Sequence, residues 1–179
     1  MDPAQTPRPE AAFETGRLLL RPLRVSDAAV QHELWTERDP RVPPHRRISP
    51  DGHPTLEEIA DGIRRDDGLP FPGLLAAEQK SSGQVIGYCG LIPNRHGQDG
   101  EPELAFEFLR RVWGQGLASE ASRAVLQQAQ AAGYPCLWAT VRDWNTPSRR
   151  VLAKLGFVET GRVDLDEVHG DSLFTRKTL

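Results

Sequence analysis

The clearest hydrophobic periodicity in the chain lies in residues 117–132. The apolar positions there recur at the spacing of one face of an α-helix: Leu117, Ala121, Ala124, Val125 and Ala129. Gly133 follows directly, and glycine is the usual residue at the left-handed position that ends a helix. The pattern therefore predicts a long amphipathic helix that ends at this glycine.

Three shorter helices are predicted from their capping residues. Each follows a side chain whose oxygen can accept a hydrogen bond from a free backbone N–H at the helix start. These caps are Ser26 or Asp27 for a helix to about residue 38, Thr55 with Glu58 for a helix to about residue 65, and Asn145 or Thr146 for a helix to about residue 155. The second pair has the spacing of a capping box, in which the two residues bond each other's backbone.

Apolar runs bounded by turn residues predict about seven strands. They cover residues 16–23, 72–79, 84–93, 103–109, 136–142, 157–165 and 171–179. The five prolines of residues 39–54 exclude a regular helix there, because proline removes a donor and blocks the helical turn. The order of elements predicts an α/β (α+β) fold, with a mixed, mostly antiparallel central sheet flanked by about four helices.

Length and composition indicate one folded domain. A chain of 179 residues suits a single core, and its 38% hydrophobic and 26% charged residues are typical of globular proteins. Residues 1–15 are rich in proline, alanine and charge, so we expect them to form a disordered tail. Residues 16–179 then form the single domain.

The charge balance narrows the classes of partner. A net charge of −3 and a pI of about 6.0 speak against binding to nucleic acid or to an anionic membrane. No stretch approaches the roughly 20 apolar residues of a spanning helix, and the N-terminus lacks the apolar core of a secretory signal. We therefore expect a cytoplasmic protein.

Cysteine and histidine do not indicate a metal site. Cys89 and Cys136 each lie in a strand-like apolar run without a second ligand nearby, so we expect two buried free thiols. His53, His96 and His169 stand in separate loops. No metal is predicted.

The stretch RRVWGQGLASEA, residues 110–121, joins a predicted strand to the long helix. Gly114 and Gly116 place a turn at the helix start, where several backbone N–H groups lack intrahelical partners. These groups and the helix dipole favour an anion, and glycine lets a phosphate approach the backbone closely. Taken alone, the turn also fits glycines that serve only a positive φ. It is neither a dinucleotide fingerprint nor a P-loop.

This stretch and WNTPSRRVLAKLGFVETG, residues 144–161, together resemble the GCN5-related N-acetyltransferases, in particular the branch that includes the ribosomal-protein N-terminal acetyltransferases. The acyl-CoA pattern of that family is Arg/Gln-x-x-Gly-x-Gly/Ala, and residues 111–116 fit it at every position. The resemblance covers residues 16–179. It implies acetyl-CoA as cofactor, with the pantetheine arm between two splayed parallel strands, 103–109 and 136–142.

The same resemblance implies which residues bind the cofactor. The pyrophosphate would lie on the backbone amides of the turn, and an Asn after the second strand would bond the pantetheine arm. The candidates are Arg111, Val112, Trp113, Gly114, Gln115, Gly116, Leu117, Ala118, Asn145 and Ser148.

Two glutamates are the candidates for a general base. Glu103 and Glu107 are four apart on one predicted strand, so both point to the same face, away from Leu104 and Phe108. A carboxylate beside a cleft could accept a proton from an ammonium through water. Glu103 is favoured because Glu107 lies nearer the cofactor turn, while a solvated strand face is the alternative for both.

Ser148 is the candidate proton donor to the leaving thiolate, on the resemblance to the N-terminal acetyltransferase branch. Many other family members use a tyrosine instead, and Leu152 occupies that position here. A glutamate that the ribosomal-protein enzymes carry after the Gly-Phe pair is also shifted. The matching position holds Thr160, with Glu159 adjacent, which puts a ribosomal-protein substrate in doubt.

Trp35, His45 and Trp144 are the candidates for acceptor binding, with Arg46 and Arg47 beside His45 in the proline-rich loop. A solvated basic loop is the alternative for the three loop residues, and Trp144 could either form a wall of the pocket or only cover the core. The predicted function is acetyl-CoA-dependent transfer of an acetyl group to a primary amine, directly within a ternary complex. The amine could belong to a small molecule, such as an antibiotic or metabolite, or to a protein N-terminus. A non-catalytic acyl-CoA-binding or regulatory module is the alternative, and the protein could be a monomer or a homodimer.

Overall fold

The computed structural model of this chain describes residues 12–65, 73–94, 96–97 and 100–179. The strands are β1 Phe13–Glu14, β2 Leu18–Pro22, β3 Gly73–Gln79, β4 Gln84–Ile92, β5 Glu103–Phe108, β6 Cys136–Arg142, β7 Val158–Asp164 and β8 Ser172–Thr178. The α-helices are α1 Ala28–Glu37, α2 Leu56–Arg65, α3 Leu117–Ala131 and α4 Thr146–Lys154. None of the helices in these ranges is long and apolar enough to cross a membrane.

The eight strands form one sheet in the order β1-β2-β3-β4-β5-β6-β8-β7. Every neighbouring pair is antiparallel except β5 and β6, which run parallel. The predicted mixed and mostly antiparallel α/β fold is confirmed, with one strand more than expected.

The additional strand, β1, falls within the segment predicted as a disordered tail. Phe13 pairs with Leu20 and Glu14 with Leu19, so regular structure begins before residue 16. The first eleven residues of the tail prediction lie outside the described residues.

The local signals that predicted α2 and α3 are satisfied in the structure. All five apolar positions of the α3 pattern are buried, and Gly133 takes a φ of 84° just beyond the helix end. Thr55 and Glu58 form the predicted capping box, with Glu58 N donating to Thr55 Oγ1 at 3.2 Å and Thr55 N donating to Glu58 Oε2 at 2.6 Å. The predicted cap of α1 is wrong: Asp27 makes no capping bond to α1, because its Oδ2 accepts from Arg24 N at 2.7 Å and a 3₁₀ turn, Val25–Asp27, precedes the helix.

Helices cover both faces of the sheet. On β4, the Cys89 thiol contacts Ser122 of α3, whereas the neighbouring Tyr88 bonds Glu107 on the opposite face. That opposite face is covered at the end of α1, where Arg38 also reaches Glu107. The main core contains α3, α4 and most strands, and a smaller cluster of Ala28, Ile59, Ala60 and Ile63 joins α1 to α2.

β5 and β6 pair at one point and then diverge. Glu103 and Trp138 are the pair, and Trp138 N donates to the carbonyl of Pro102 at 2.9 Å. The next amide of β6 on the side of β5, Thr140 N, bonds the Glu103 side chain instead of the backbone of β5. The splayed parallel pair that the resemblance implied is therefore present, and it opens a cleft in the sheet.

Candidate active site

The cleft between the diverging strands has a volume of about 1040 Å³. On its glycine side lie residues 112–114 and 116–119, around the start of α3, and residues of α4. On its carboxylate side lie Tyr88, Glu103 and Glu107, covered by the strap, which we define as residues 39–46 after α1.

The glycine side presents a helix N-terminus that no side chain caps. Gly114 and Gly116 have φ of 75° and 78°, in the left-handed region that favours glycine. Gly116 is the N-cap of α3 and provides no side-chain acceptor for the first N–H groups of the helix. A Cβ built at Gly114 would contact nothing within 4 Å, so the backbone there is open to a ligand.

The turn is held from outside the cleft by Glu120 and Arg17. The Glu120 carboxylate accepts from Thr15 Oγ1 at 2.6 Å and from Arg17 Nε at 2.7 Å, while Arg17 Nη1 donates to the carbonyl of Gln115 at 2.9 Å. Burial raises the pKa of Glu120, but these bonds outweigh it and leave that pKa below its usual value. The turn is thus anchored to the N-terminal strands.

Most of the predicted cofactor residues line the cleft: Val112, Trp113, Gly114, Gly116, Leu117, Ala118, Asn145 and Ser148. Arg111 and Gln115 are not among its lining residues. Arg111 Nη1 donates to Glu33 Oε1 of α1 at 2.6 Å, and the Gln115 side chain points back to the carbonyl of Arg111. Arg111 therefore contributes by fixing the turn against α1.

Asn145 and Ser148 stand at the start of α4. Asn145 Oδ1 accepts from Ser148 N at 3.2 Å, which confirms Asn145 as the cap. The Ser148 hydroxyl bonds no other group in the described part of the chain, so it is available to a ligand. Leu152, one turn later, is buried and lines the same cleft.

Glu103 sits where the two strands diverge. Its Oε1 accepts from Thr140 N at 2.9 Å, which holds the carboxylate across the cleft. Its other oxygen has no partner among the described residues. A carboxylate that is fixed at one oxygen and free at the other can accept a proton from a bound amine.

Both carboxylate oxygens of Glu107, the other candidate base, accept hydrogen bonds from other side chains. Arg38 donates to it through Nε at 2.8 Å and Nη2 at 2.6 Å, and Tyr88 Oη donates to its Oε2 at 2.7 Å. Burial raises the pKa of Tyr88, with the nearby Glu107 charge adding to it. Burial lowers the pKa of Arg38, but its contacts with Glu107 outweigh this and raise it. Glu107 is therefore better suited to positioning than to proton transfer.

Arg38 and Tyr88 were missed by the sequence reasoning. They lie 69 and 19 residues from Glu107 along the chain, on two different elements. The one available signal was that Tyr88 is a polar-tipped residue within an otherwise apolar strand. No local pattern pointed to Arg38.

The strap closes over the cleft by contacting Trp144. The Arg41 guanidinium stacks 4.2 Å from the centre of the Trp144 ring. His169 Nδ1 donates to the carbonyl of Arg41 at 3.1 Å and its own carbonyl accepts from Trp144 Nε1 at 2.7 Å. Trp144 thus forms part of the cleft wall, as one sequence interpretation proposed.

Two predicted acceptor residues lie elsewhere. Trp35 stacks against Arg38 at 4.3 Å and is not among the residues that line the cleft. His45 lines a separate open groove of about 620 Å³ beside α2. The prediction failed at both positions because the direction of a side chain on a helix end or loop depends on packing, which the sequence alone does not show.

The cysteines and the shifted glutamate also lie away from the cleft. Cys89 and Cys136 are buried free thiols, as predicted, and burial raises the pKa of Cys89 to about 12. Glu159 is exposed and pairs with Arg149 at 3.0 Å, while Thr160 Oγ1 donates to the carbonyl of Phe174. Among the described residues no group of three His, Cys, Asp or Glu side chains could hold a metal ion.

A family model described as the acetyltransferase (GNAT) domain matches residues 17–158, most of the chain. The chain belongs to the GNAT acetyltransferase family. Two bacterial relatives support this assignment. The chain is 30% identical over 152 residues to the uncharacterized N-acetyltransferase p20 of Bacillus licheniformis, covering 82% of each protein. It is 31% identical over 143 residues to the uncharacterized protein YkkB of Bacillus subtilis (strain 168), covering 79% of this chain and 82% of that protein.

Solved structures share the GNAT fold. A GNAT-family acetyltransferase from Bacillus anthracis has a TM-score of 0.74 at 20% identity, covering 92% of this chain and 96% of that one. A ribosomal-protein-alanine N-acetyltransferase from Brucella melitensis has a TM-score of 0.71 at 22% identity, covering 90% and 100%. The acetyltransferase yncA of Salmonella typhimurium, solved with acetyl-CoA, has a TM-score of 0.66 at 20% identity, covering 90% and 94%.

GNAT enzymes use acetyl-CoA, and the cleft of this GNAT chain fits it. The uncapped start of α3 and the open backbone at Gly114 suit a pyrophosphate. Arg150 and Lys154 of α4 line the same side and have no acidic partner in the described ranges, so they can face further phosphate charge. The amide of Asn145 would face the pantetheine arm.

Proposed function

We propose that this protein is an acetyl-CoA-dependent N-acetyltransferase that acetylates a primary amine by direct transfer. The observation that carries the proposal is the cleft between β5 and β6. It connects an uncapped helix N-terminus at Gly116 with a fixed, half-free carboxylate at Glu103. A cofactor with an anionic head and an amine that must lose a proton need these two features in one cavity.

Glu103 accepts the proton of the amine in this proposal. Bound acetyl-CoA supplies a thioester carbonyl that an amine can attack once the amine is neutral. Thr140 N–H holds one carboxylate oxygen, and the free oxygen faces the cleft, where it can take the proton directly or through one water.

Ser148 donates the proton that the departing thiolate needs, and the second proton that the attacking nitrogen loses as the amide forms restores the Ser148 hydroxyl. Its hydroxyl is unpaired within the described chain and lies on the wall opposite β5. Asn145 fixes the backbone of Ser148 and thereby the place of this residue in the first turn of α4. Because the tyrosine of other relatives is replaced here by Leu152, Ser148 takes this role alone.

Transfer is direct rather than through an acyl-cysteine. Neither Cys89 nor Cys136 lines the cleft. Burial raises the pKa of both thiols, so at neutral pH they stay protonated and are weak nucleophiles. A ternary complex of protein, acetyl-CoA and amine is then required.

The test is calorimetric titration with acetyl-CoA, followed by a free-thiol assay against amino acids, polyamines, aminoglycosides and N-terminal peptides. Micromolar binding and thiol release with at least one amine is the expected result, and the release should disappear in Glu103→Gln. Binding without release from any amine would favour the non-catalytic acyl-CoA-binding module, for which the replacement of the tyrosine by Leu152 is the specific observation. Absence of binding would contradict the proposal.

A further inference from the structure

Two carboxylates of the acceptor side are occupied at both oxygens. Glu107 is held by Arg38 and Tyr88, and the Asp39 carboxylate is held by Arg41 through Nε and Nη2, each at 2.9 Å. Glu37 accepts from Arg110 N at 2.8 Å through Oε2, and Glu103 accepts from Thr140 N through Oε1, so each keeps one oxygen without a partner in the described part of this wall. Glu103 is the one of these two that lies on β5, where the strands diverge.

One cation on the carboxylate side, Arg46, has no acidic partner among the described residues. Arg46 lies in the short 3₁₀ turn Pro44–Arg46 of the strap, lines the cleft, and makes no ion pair with any residue in the described ranges. Its backbone is fixed, because Arg38 Nη1 donates to its carbonyl at 2.6 Å. The backbone at Arg46 is therefore anchored, while the five donors of its guanidinium remain available.

The surroundings of Arg46 place its charge toward the reacting side of the sheet. Its positive charge acts on the Tyr88 hydroxyl and opposes the rise in the pKa of that group. Tyr88 in turn bonds Glu107, four residues from Glu103 on the same face of β5. Three other cations of the described residues line the cleft without an ion pair. Arg110 donates to the Glu37 backbone carbonyl and lies over the Trp113 ring, whereas Arg150 and Lys154 are on α4 and belong to the glycine side.

We infer that Arg46 determines acceptor specificity by binding an anionic group, so that the acceptor is a small primary amine that carries its own carboxylate or phosphate. This inference rests on the proposed function. A guanidinium fork matches the geometry of either anion, whereas the positive charge of Arg46 repels the further cations of a polyamine. The strap, closed onto Trp144 through Arg41, favours a small acceptor over a folded protein.

The experiment measures kcat/KM for matched pairs of acceptors in the full-length protein. L-Leucine is paired with L-leucinamide, and O-phosphoethanolamine with ethanolamine, in wild type, Arg46→Ala, Arg46→Lys and Arg46→Glu. We expect the wild type to prefer the anionic member of at least one pair. Arg46→Ala should reduce that preference by about tenfold or more, the loss of one charged hydrogen-bonded contact. Arg46→Lys should retain part of it, and the pair that responds identifies carboxylate or phosphate.

Comparing ratios within each variant cancels the different basicity of the amines, because that difference is the same in every variant. Arg123→Ala, which removes an exposed charge from α3 outside the cleft, is the control and should keep the wild-type preference. An equal preference in wild type and Arg46→Ala would overturn the inference. A rise in KM for acetyl-CoA alone would also overturn it and reassign Arg46 to the cofactor. Preference for an N-terminal peptide with an acidic second residue would exclude the small acceptor.

The two proposals fail in different ways. If the wild-type protein releases no thiol with any amine, the proposed function fails, and with it the acceptor preference assigned to Arg46. If wild type acetylates amines but ignores their anionic groups, the function stands and the assignment of Arg46 fails. Thermal unfolding of each variant shows whether the fold is intact. We expect an intact fold, because Arg46 is exposed.

Discussion

The two sides of the cleft present different kinds of group to a ligand: backbone groups on the glycine side and side chains on the carboxylate side. The glycine side consists of backbone: two left-handed glycines, an uncapped helix start, and a cap at Asn145 that acts over three residues. The carboxylate side consists of side chains held by partners from distant elements, such as Glu107 by the Arg38 guanidinium and Glu103 by the backbone N–H of Thr140.

This difference matches the tasks of the two sides. A pyrophosphate is the same in every reaction cycle and can be held by backbone amides, which any sequence provides once the turn is formed. An acceptor amine has to be oriented and deprotonated by groups of particular chemistry. We therefore expect mutations of the glycine turn to alter cofactor affinity, and mutations on the carboxylate side to alter turnover, acceptor choice or stability. Ser148 is the exception on the glycine side, because its hydroxyl takes part in the proposed proton transfer.

Glu103→Gln should have the largest effect. The amide oxygen can still accept from Thr140 N–H, so the fold should be preserved, but the proton acceptor is lost. We expect kcat to fall by about 10²–10⁴-fold, the usual contribution of a general base, with acetyl-CoA affinity unchanged. Steady-state kinetics and calorimetry check both parts.

Glu107→Gln is the comparison that tests whether Glu103 is the base. Its role is positioning, so it should leave a larger fraction of kcat than Glu103→Gln while lowering the unfolding midpoint. If the two variants lose kcat equally with intact stability, the assignment of the base to Glu103 is wrong.

Gly116→Trp should weaken acetyl-CoA binding by about 100-fold, which corresponds to two charged hydrogen bonds of roughly 1.5 kcal/mol each. The side chain blocks the approach to the start of α3. Gly133→Trp is the matched control, because Gly133 has a φ of 84° and open space but lies at the other end of α3. Equal losses of affinity in the two variants would show that backbone strain alone is responsible.

Arg38→Met should destabilise the fold by about 2–3 kcal/mol, somewhat less than a fully buried pair, because the Glu107 side chain is 23% exposed. The change leaves Glu107 and Tyr88 without their cation and releases the strap at Arg46. Urea unfolding measures the loss. Arg64→Met, in the exposed pairs with Glu57 and Asp61, should produce no measurable change, and a similar loss in both would refute the special role of Arg38.

Ser148→Ala should lower kcat by about tenfold with KM for acetyl-CoA nearly unchanged. The effect is below that of a typical general acid because a thiol, with a pKa near 8.5, leaves without much assistance. Ser148→Thr keeps the hydroxyl and should recover part of the rate. An unchanged kcat in Ser148→Ala would return this serine to an ordinary helix position.

Cys89→Ala should have the smallest effect on catalysis, with kcat within about twofold of wild type, because the thiol is buried against α3 and distant from the cleft. Its pKa is raised by burial to about 12, so the folded protein holds the proton that the unfolded chain begins to lose near pH 9. This contribution to stability is therefore complete below pH 9 and declines above it. Loss of activity with an intact fold would instead support a covalent mechanism.

The sequence predicted the fold well because its signals were local. The capping box at Thr55, the cap at Asn145 and the glycines at 114 and 116 act within one turn of backbone. The candidate site was predicted in part. Gly116, Ser148 and Glu103 line the cleft, but Arg111, Trp35 and His45 do not. Their side chains turn toward partners on other elements or onto other surfaces, and no short-range pattern determines that direction.

The sequence by itself determined the order of the elements from β2 onward, the caps of α2 and α4 and the left-handed turn before α3, since each depends on residues within a few positions of one another. The tertiary structure decided which carboxylate stays free. Arg38 meets Glu107 across 69 residues, and Thr140 meets Glu103 across 37. These partners depend on strand register and on how α1 packs over the sheet, which result from burial of the whole core rather than from any local preference.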